Sequence, residues 1–376
     1  MSKWITGVLL AAGMAWQPAQ AQAQDEKASS CNARATIAAL GEIVTPDGIE
    51  ERFKVRIGGI DQWLSVRGRH RDNPILLYVH GGPGSPSMPM SWAFQRPWEE
   101  YFTVVQWDQR AAGKTYGAND GEAITETLTV DRYVEDAIEV MALLRERYDK
   151  PKLVVLGHSW GSVLGLKAAM AKPDWVSAYV GVGQFLNLMD NEKVGYELAM
   201  ARAKAEGNAQ AIAELEAIAP YPGDTVPGVD RLAVQRKWTI HYGGLQAYRQ
   251  DARPWFAAAD LSPDYSDADL AAFSEGSAKT VGALLSQLLG LRLDRVRKLP
   301  FPVVLMLGRH DYTTPPEASA RWLEQLDAPY KAAVWFEDSA HLIPLEEPGK
   351  TLLTLVGTVL PLARNTGESP RPPVHP

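Results

Sequence analysis

The segment Gly157-His158-Ser159-Trp160-Gly161 matches the pattern G-x-S-x-G. An apolar run from Leu153 to Leu156 leads into it, and Ser162 to Met170 continues with helical character, so Ser159 is predicted to sit on a sharp turn from strand to helix. Such a turn lifts the hydroxyl above the sheet and aims the positive end of a helix at developing negative charge. The competing reading, an inert serine in a glycine-rich turn, lacks any reason for the flanking strand and helix. A second glycine-rich segment, His80-Gly81-Gly82-Pro83-Gly84, follows the apolar strand Ile75 to Val79 and can offer bare backbone amides to a carbonyl oxygen. The two oxyanion donors are assigned to the N–H groups of Gly82 and Trp160; one such donor contributes about 3 kcal/mol of transition-state stabilisation.

A serine hydroxyl is a weak nucleophile until a base removes its proton, so a histidine and a carboxylate are required downstream. His341 is the expected base and Asp311 the acid that orients it. Asp311 lies in Gly308-Arg309-His310-Asp311 after the strand Val303 to Leu307, and His341 lies beyond the strand ending near Phe336. Both are thus placed in loops at carboxyl ends of strands, on the same side as the serine. Asp338 is the rival acid. Among the remaining histidines, His158 and His310 are expected to be structural, His80 to brace the oxyanion loop, and His70, His241 and His375 to lie elsewhere. The chain has no His-Glu-x-x-His pattern and a single cysteine, Cys31, so neither metal nor cofactor is expected.

These residues need a frame. Short, continuous apolar runs at 75–79, 102–107, 153–156, 179–182, 303–307 and 333–336 predict strands covered on both faces, as in a parallel sheet. Two alternating runs between Ile43 and Val66, split by Gly58-Gly59, predict an antiparallel hairpin at its edge. Between Leu128 and Tyr148 apolar residues recur every three or four positions, which predicts a helix across the sheet, and another closes the fold over Thr351 to Leu362. The result is a doubly wound α/β architecture. Its core spans 43–182 and 298–362. Residues 183–297 break the alternation and read as an inserted helical cap with a turn-rich interruption at 220–228; Ser266 to Asp269 forms a capping-box-like helix start.

Composition narrows the function. Hydrophobic residues at 46% and charged residues at 22% suit a globular domain, and a net charge of −7 with scattered basic residues argues against nucleic acid as a partner. Lys3, the apolar stretch Trp4 to Trp16 and the Ala-x-Ala pattern at 19–23 read as an export signal over 1–23, which places the protein in the periplasm or outside the cell and off the membrane after cleavage. A retained anchor is the alternative. The tail over 363–376 is rich in proline and expected to be flexible. The oligomeric state is not legible.

Taken together, His80 to Gly84, Gly157 to Ser162, Gly308 to Asp311 and Trp107-Asp108-Gln109-Arg110-Ala111-Ala112-Gly113-Lys114-Thr115 resemble the proline iminopeptidase-like branch of the α/β-hydrolases. The last segment is similar to that family's D-Q-R-G-x-G-x-S, with Ala111 in place of a glycine. The resemblance covers about Arg56 to Val182 and Pro300 to Leu360. It implies an α/β-hydrolase fold, with Asp108 and Arg110 steadying the loops beside the oxyanion hole, and a substrate amine held by cap glutamates. The family's tryptophan-rich segment is missing from the cap; Glu192 and Glu197, early in the cap, are the candidate amine receptors, with Glu275 also available.

The expected chemistry is acyl transfer to Ser159 followed by hydrolysis of the acyl-enzyme. The resemblance implies a small peptide or amino-acid amide as substrate; the same residues would also serve a carboxylesterase or lactonase. A protein that only binds a ligand is the alternative of another class, and the presence of every reacting group weighs against it.

Overall fold

The computed structural model describes residues 32–225, 227–288 and 290–364, so the expected export signal, Cys31 and nearly all of the expected tail lie outside the described residues. Strands β1 (Ile49–Ile57) and β2 (Ile60–Gly68) form the antiparallel hairpin, with Ile57 paired to Ile60 across Gly58-Gly59. Both glycines have positive φ, +55° and +78°, the left-handed conformation that tight hairpin turns require.

Beyond the hairpin come β3 (Ile75–Val79), β4 (Thr103–Asp108), β5 (Leu153–His158), β6 (Val176–Val182), β7 (Val303–Gly308) and β8 (Lys331–Phe336). They make one eight-stranded sheet in the order β1-β2-β4-β3-β5-β6-β7-β8, antiparallel at β1-β2 and β2-β4 and parallel elsewhere. Strands β3, β4, β5, β6 and β7 are buried along their whole length. Alternate residues feed opposite faces: Leu77, Val79 and Val155 join one core, while Leu76, Tyr78 and Val154 join the other. That two-sided burial is why these strands read as uninterrupted apolar runs.

The first face is covered by α3 (Val130–Arg147) and α4 (Trp160–Ala171), which follow two short helices, α1 (Gly113–Gly117) and α2 (Gly121–Thr125). Thr129 caps α3 by accepting from Arg132 N at 3.1 Å. The second face is closed by the C-terminal helical run from Pro348 to Arg364, which passes through a π-helical stretch at Leu355–Val359.

Among the described residues five α-helices lie between β6 and β7: α5 (Leu188–Glu206), α6 (Ala209–Ala217), α7 (Val229–His241), α8 (Arg253–Asp260) and α9 (Asp267–Leu288). Helices α5, α6 and α7 share a small core of their own around Ala199, Leu215 and Trp238. Helix α9 returns to the sheet, where Leu284 and Leu288 join the main core. Its start is a reciprocal cap, with Asp269 N donating to Ser266 Oγ at 3.2 Å and Ser266 N to Asp269 Oδ2 at 2.8 Å. Strands β6 and β8 begin at Val176 and Lys331, earlier than the apolar runs alone mark them, because Ser177 and Lys331 break the apolar pattern without breaking strand pairing.

Candidate active site

Ser159 occupies the turn between β5 and α4 with φ 53° and ψ −121°, a conformation that costs a non-glycine residue about 1–3 kcal/mol. Neighbouring contacts hold it there. Ser159 N donates to Val182 O at 2.9 Å, and Ser162 Oγ donates to Ser159 O at 2.6 Å. A Cβ on Gly161 would lie 1.9 Å from Val79 O, so α4 can approach β3 closely only with glycine at that position.

The imidazole of His341 meets Asp311 directly: Nδ1 and Oδ2 are 2.7 Å apart, and both side chains are almost fully buried. Asp311 Oδ1 accepts from Thr313 N and Thr314 N, each at 2.8 Å, and Oδ2 accepts from Thr314 Oγ1 at 2.7 Å. An anion so fully solvated by donors fixes the proton of His341 on Nδ1 and leaves Nε2 as an acceptor. Asp338 is elsewhere. It is exposed and accepts from Tyr248 Oη at 3.2 Å, which removes it from the role of rival acid.

His158 and His341 lie with ring centroids 4.8 Å apart, and His158 Nε2 donates to the backbone carbonyl of His341 at 2.9 Å. Burial and the neighbouring His341 push His158 down to about 3, so it supports the loop as a neutral ring. His310 contacts Tyr248 on the exposed side.

Gly81 and Gly82 line one cleft with Ser159 and His341. As the first residue of α4, Trp160 has an N–H without an intrahelical acceptor. Gln109, quoted in the sequence only as part of the Asp108-Gln109-Arg110 motif and given no role there, joins these two segments. Gln109 Nε2 donates to His80 O at 2.9 Å, Gln109 N donates to His80 Nε2 at 3.2 Å, and Gln109 Oε1 accepts from the indole of Trp160 at 3.1 Å. His80 completes this brace through Nδ1 to Gly81 O at 2.8 Å, and burial pushes its ring down to about 4. Asp108 and Arg110 act one layer further out. Asp108 accepts from Lys114 N and from Tyr265 Oη, and Arg110 forms a buried pair with Asp136, tying α3 to the hairpin turn.

The expected cap receptors do not line the cleft. Glu192 is completely buried in a pair with Arg236 and accepts from Tyr221 Oη at 2.6 Å; Glu197 is exposed, and neither lines the cleft. Glu275 is engaged by Tyr116 and Lys279. From α7 and the segments after it, the cleft receives Arg236, Ile240, Leu245, Trp255 and Phe256. Among the described residues its ionisable lining is His158, His341 and Arg236, with no carboxylate. Among the described residues no group of three or more His, Cys, Asp or Glu could hold a metal ion, and no helix is long and apolar enough to cross a membrane.

Strand order, elbow and carboxylate–imidazole pair define an α/β-hydrolase, and comparison with known proteins agrees. The profile of the family described as alpha/beta hydrolase fold matches residues 74–348, and the chain belongs to that family, in its proline iminopeptidase-like branch. It is 30% identical over 306 residues to a protein of Bacillus subtilis named probable aminopeptidase YbaC, covering 80% of this chain and 94% of that one. A proline iminopeptidase of Arabidopsis thaliana is 36% identical over 115 residues, 31% of this chain and 28% of that protein. The crystal structure of a proline iminopeptidase-related protein from Thermus thermophilus superimposes with a TM-score of 0.58 at 18% identity, covering 84% of this chain and 99% of that one.

Proposed function

We propose that the protein is a serine hydrolase that cleaves short peptides or amino-acid amides through an acyl-enzyme at Ser159. The observation that carries this reading is the buried 2.7 Å contact between Asp311 and His341 beside a serine on a strained strand-to-helix turn. In this mechanism Ser159 Oγ gives its proton to His341 Nε2 and attacks the carbonyl carbon. Asp311 holds the imidazolium that results, and the oxyanion rests on the amides of Gly82 and Trp160. His341 then protonates the leaving amine, and water, activated by the same imidazole, releases the acyl group.

The relative named a probable aminopeptidase supports an amide substrate. A second reading, a small carboxylic ester, draws support from a cleft that has no carboxylate among its described lining residues to receive a free amine. Active-site labelling with a fluorophosphonate tests the class: wild type should be modified at Ser159 and a folded Ser159→Ala variant should not. Labelling that survives in Ser159→Ala would overturn the assignment. Rates on amino-acid arylamides against matched acyl esters separate amide from ester. Export through residues 1–23 completes the proposal, with N-terminal sequencing of the exported protein as its test.

A further inference from the structure

Arg236 stands in the cleft wall, yet its charge is not spent on surface solvation: the residue is 8% exposed and paired end-on with Glu192. A guanidinium carries five N–H donors in one plane. In Arg236, Nη1 donates to Glu192 Oε2 at 3.1 Å and to Gln235 Oε1, and Nη2 donates to Glu192 Oε1. Those three bonds leave Nε–H and the second Nη2–H, which share one edge of the guanidinium. Nε is buried and has no hydrogen-bond partner. An unmet buried donor costs about 1–3 kcal/mol, a penalty that an acceptor from outside the chain could relieve.

The edge formed by Nε and Nη2 has the spacing of a carboxylate's two oxygens, and charge-assisted pairs of this bidentate kind are among the strongest and most directional available to a protein. Glu192 and Tyr221, both buried, hold the guanidinium in one orientation before any ligand arrives. Ile240, Leu245, Trp255 and Phe256 give the same cleft an apolar side, and Ser85, Ser87 and Thr313 add neutral hydroxyls to it. Among the described residues the cleft lining presents this cation and no carboxylate.

We propose that Arg236 forms a carboxylate-binding subsite, so that the substrates of this enzyme carry a carboxylate within reach of the scissile bond. The proposal rests on the reading of Ser159 as the nucleophile, because that places the cleft at the reacting carbonyl. Boronic acids, which form tetrahedral adducts with an active serine, allow the two to be told apart. Inhibition constants are measured for phenylboronic acid and for its 2-, 3- and 4-carboxy isomers. In wild type the best carboxylated isomer should bind at least tenfold more tightly than phenylboronic acid. Removing Arg236 alone would strand a buried Glu192 carboxylate, so the preference is retested in the double variant Arg236→Met with Glu192→Gln, and in Arg236→Lys. The ratio of the two constants should fall to about one in the double variant and to an intermediate value in Arg236→Lys. Inhibition by phenylboronic acid with no carboxylate preference in wild type, or a preference that survives the double variant, overturns the subsite alone. Failure of every boronic acid against folded wild type overturns the serine reading and the subsite with it.

Discussion

Glu346 fastens the backbone on both sides of His341: its Oε2 accepts from Ala340 N at 3.1 Å and from Leu342 N at 3.0 Å. Its other oxygen accepts from Ala247 N at 2.5 Å, and His341 N donates to Leu245 O at 3.1 Å. One carboxylate therefore joins the loop that carries His341 to the chain segment that supplies Leu245 to the cleft. Glu346→Ala should lower kcat by about tenfold or more with a smaller change in KM, since the deleted acceptor leaves buried donors worth about 1–3 kcal/mol each. Steady-state kinetics on any turned-over substrate checks this; an unchanged kcat would reduce Glu346 to a structural contact. Burial raises Glu346 to about 7, above its unfolded value near 4.5. Its contribution to stability is then full below about pH 4.5 and lost as pH rises through about 7, so wild type should lose ground to Glu346→Gln in melting temperature over that window.

The proposed role of Asp311 as the orienting acid can be tested against Asp338. In Asp311→Asn the amide can present a donor to His341 Nδ1, favouring the tautomer in which Nε2 holds the proton and cannot take one from Ser159. A fall in kcat on the order of 10³- to 10⁴-fold is expected. Asp338→Asn removes only an exposed contact with Tyr248 and should stay within about threefold of wild type. The reverse ranking would move the acid to Asp338.

His80 and His158 set the acid stability of the fold. Both are depressed by burial, to about 4 and about 3, from an unfolded value near 6.5. Below pH 6.5 the unfolded chain takes up these two protons while the folded chain does not. Stability supplied by the neutral rings is thus present above about pH 6.5 and declines as pH falls toward 4, by about 1.4 kcal/mol per pH unit for each group at the steepest. His158→Gln keeps a donor for His341 O and removes one titration. Its melting temperature should fall less steeply than that of wild type between pH 6.5 and 4; parallel slopes would mean that His158 is already charged in the fold.

Most of the frame, and the positions of Ser159, Asp311 and His341 within it, were legible because their signals are local. Ile75 to Val79 and Val303 to Leu307 are short apolar runs because both of their faces are buried, and Ser159 is marked by the glycines its turn demands. What escaped the reading depends on contacts distant in sequence. Gln109 sits 51 positions from the indole it binds, and Glu192 sits 44 positions from Arg236. Nothing in the pattern of α5 shows that Glu192 faces Arg236 and Tyr221 rather than the cleft. Glu346 lies in a short helical turn, Ile343–Glu346, whose backbone bonds to the His341 loop only closure of the tertiary fold creates.

Gly183 lies at the end of β6 with φ +53°, and a Cβ there would come within 2.9 Å of His341 Cε1 and 3.0 Å of Nδ1. The imidazole is already committed to Asp311, so it can give way only by breaking the 2.7 Å contact. Gly183→Ala should therefore reduce kcat by at least tenfold, beyond the roughly 1–2 kcal/mol of stability lost by placing alanine in the left-handed region. A folded variant with wild-type kcat would show that the ring has room to move.

Recognition of a free ammonium in a partly desolvated cleft needs an anion facing it, and discrimination of the kind built on buried charge pairs fails without one. Among the described residues the cleft lining supplies Arg236 and no carboxylate, Glu192 is enclosed by Arg236 and Tyr221, and Glu197 is exposed on α5. N-acetylation of a turned-over peptide should accordingly change kcat/KM by less than about fivefold, and Glu197→Gln should leave the ratio of free to blocked rates unaltered. A hundredfold preference for the free amine would show that a carboxylate reaches the cleft when substrate binds, and Glu192→Gln, by abolishing that preference, would identify it.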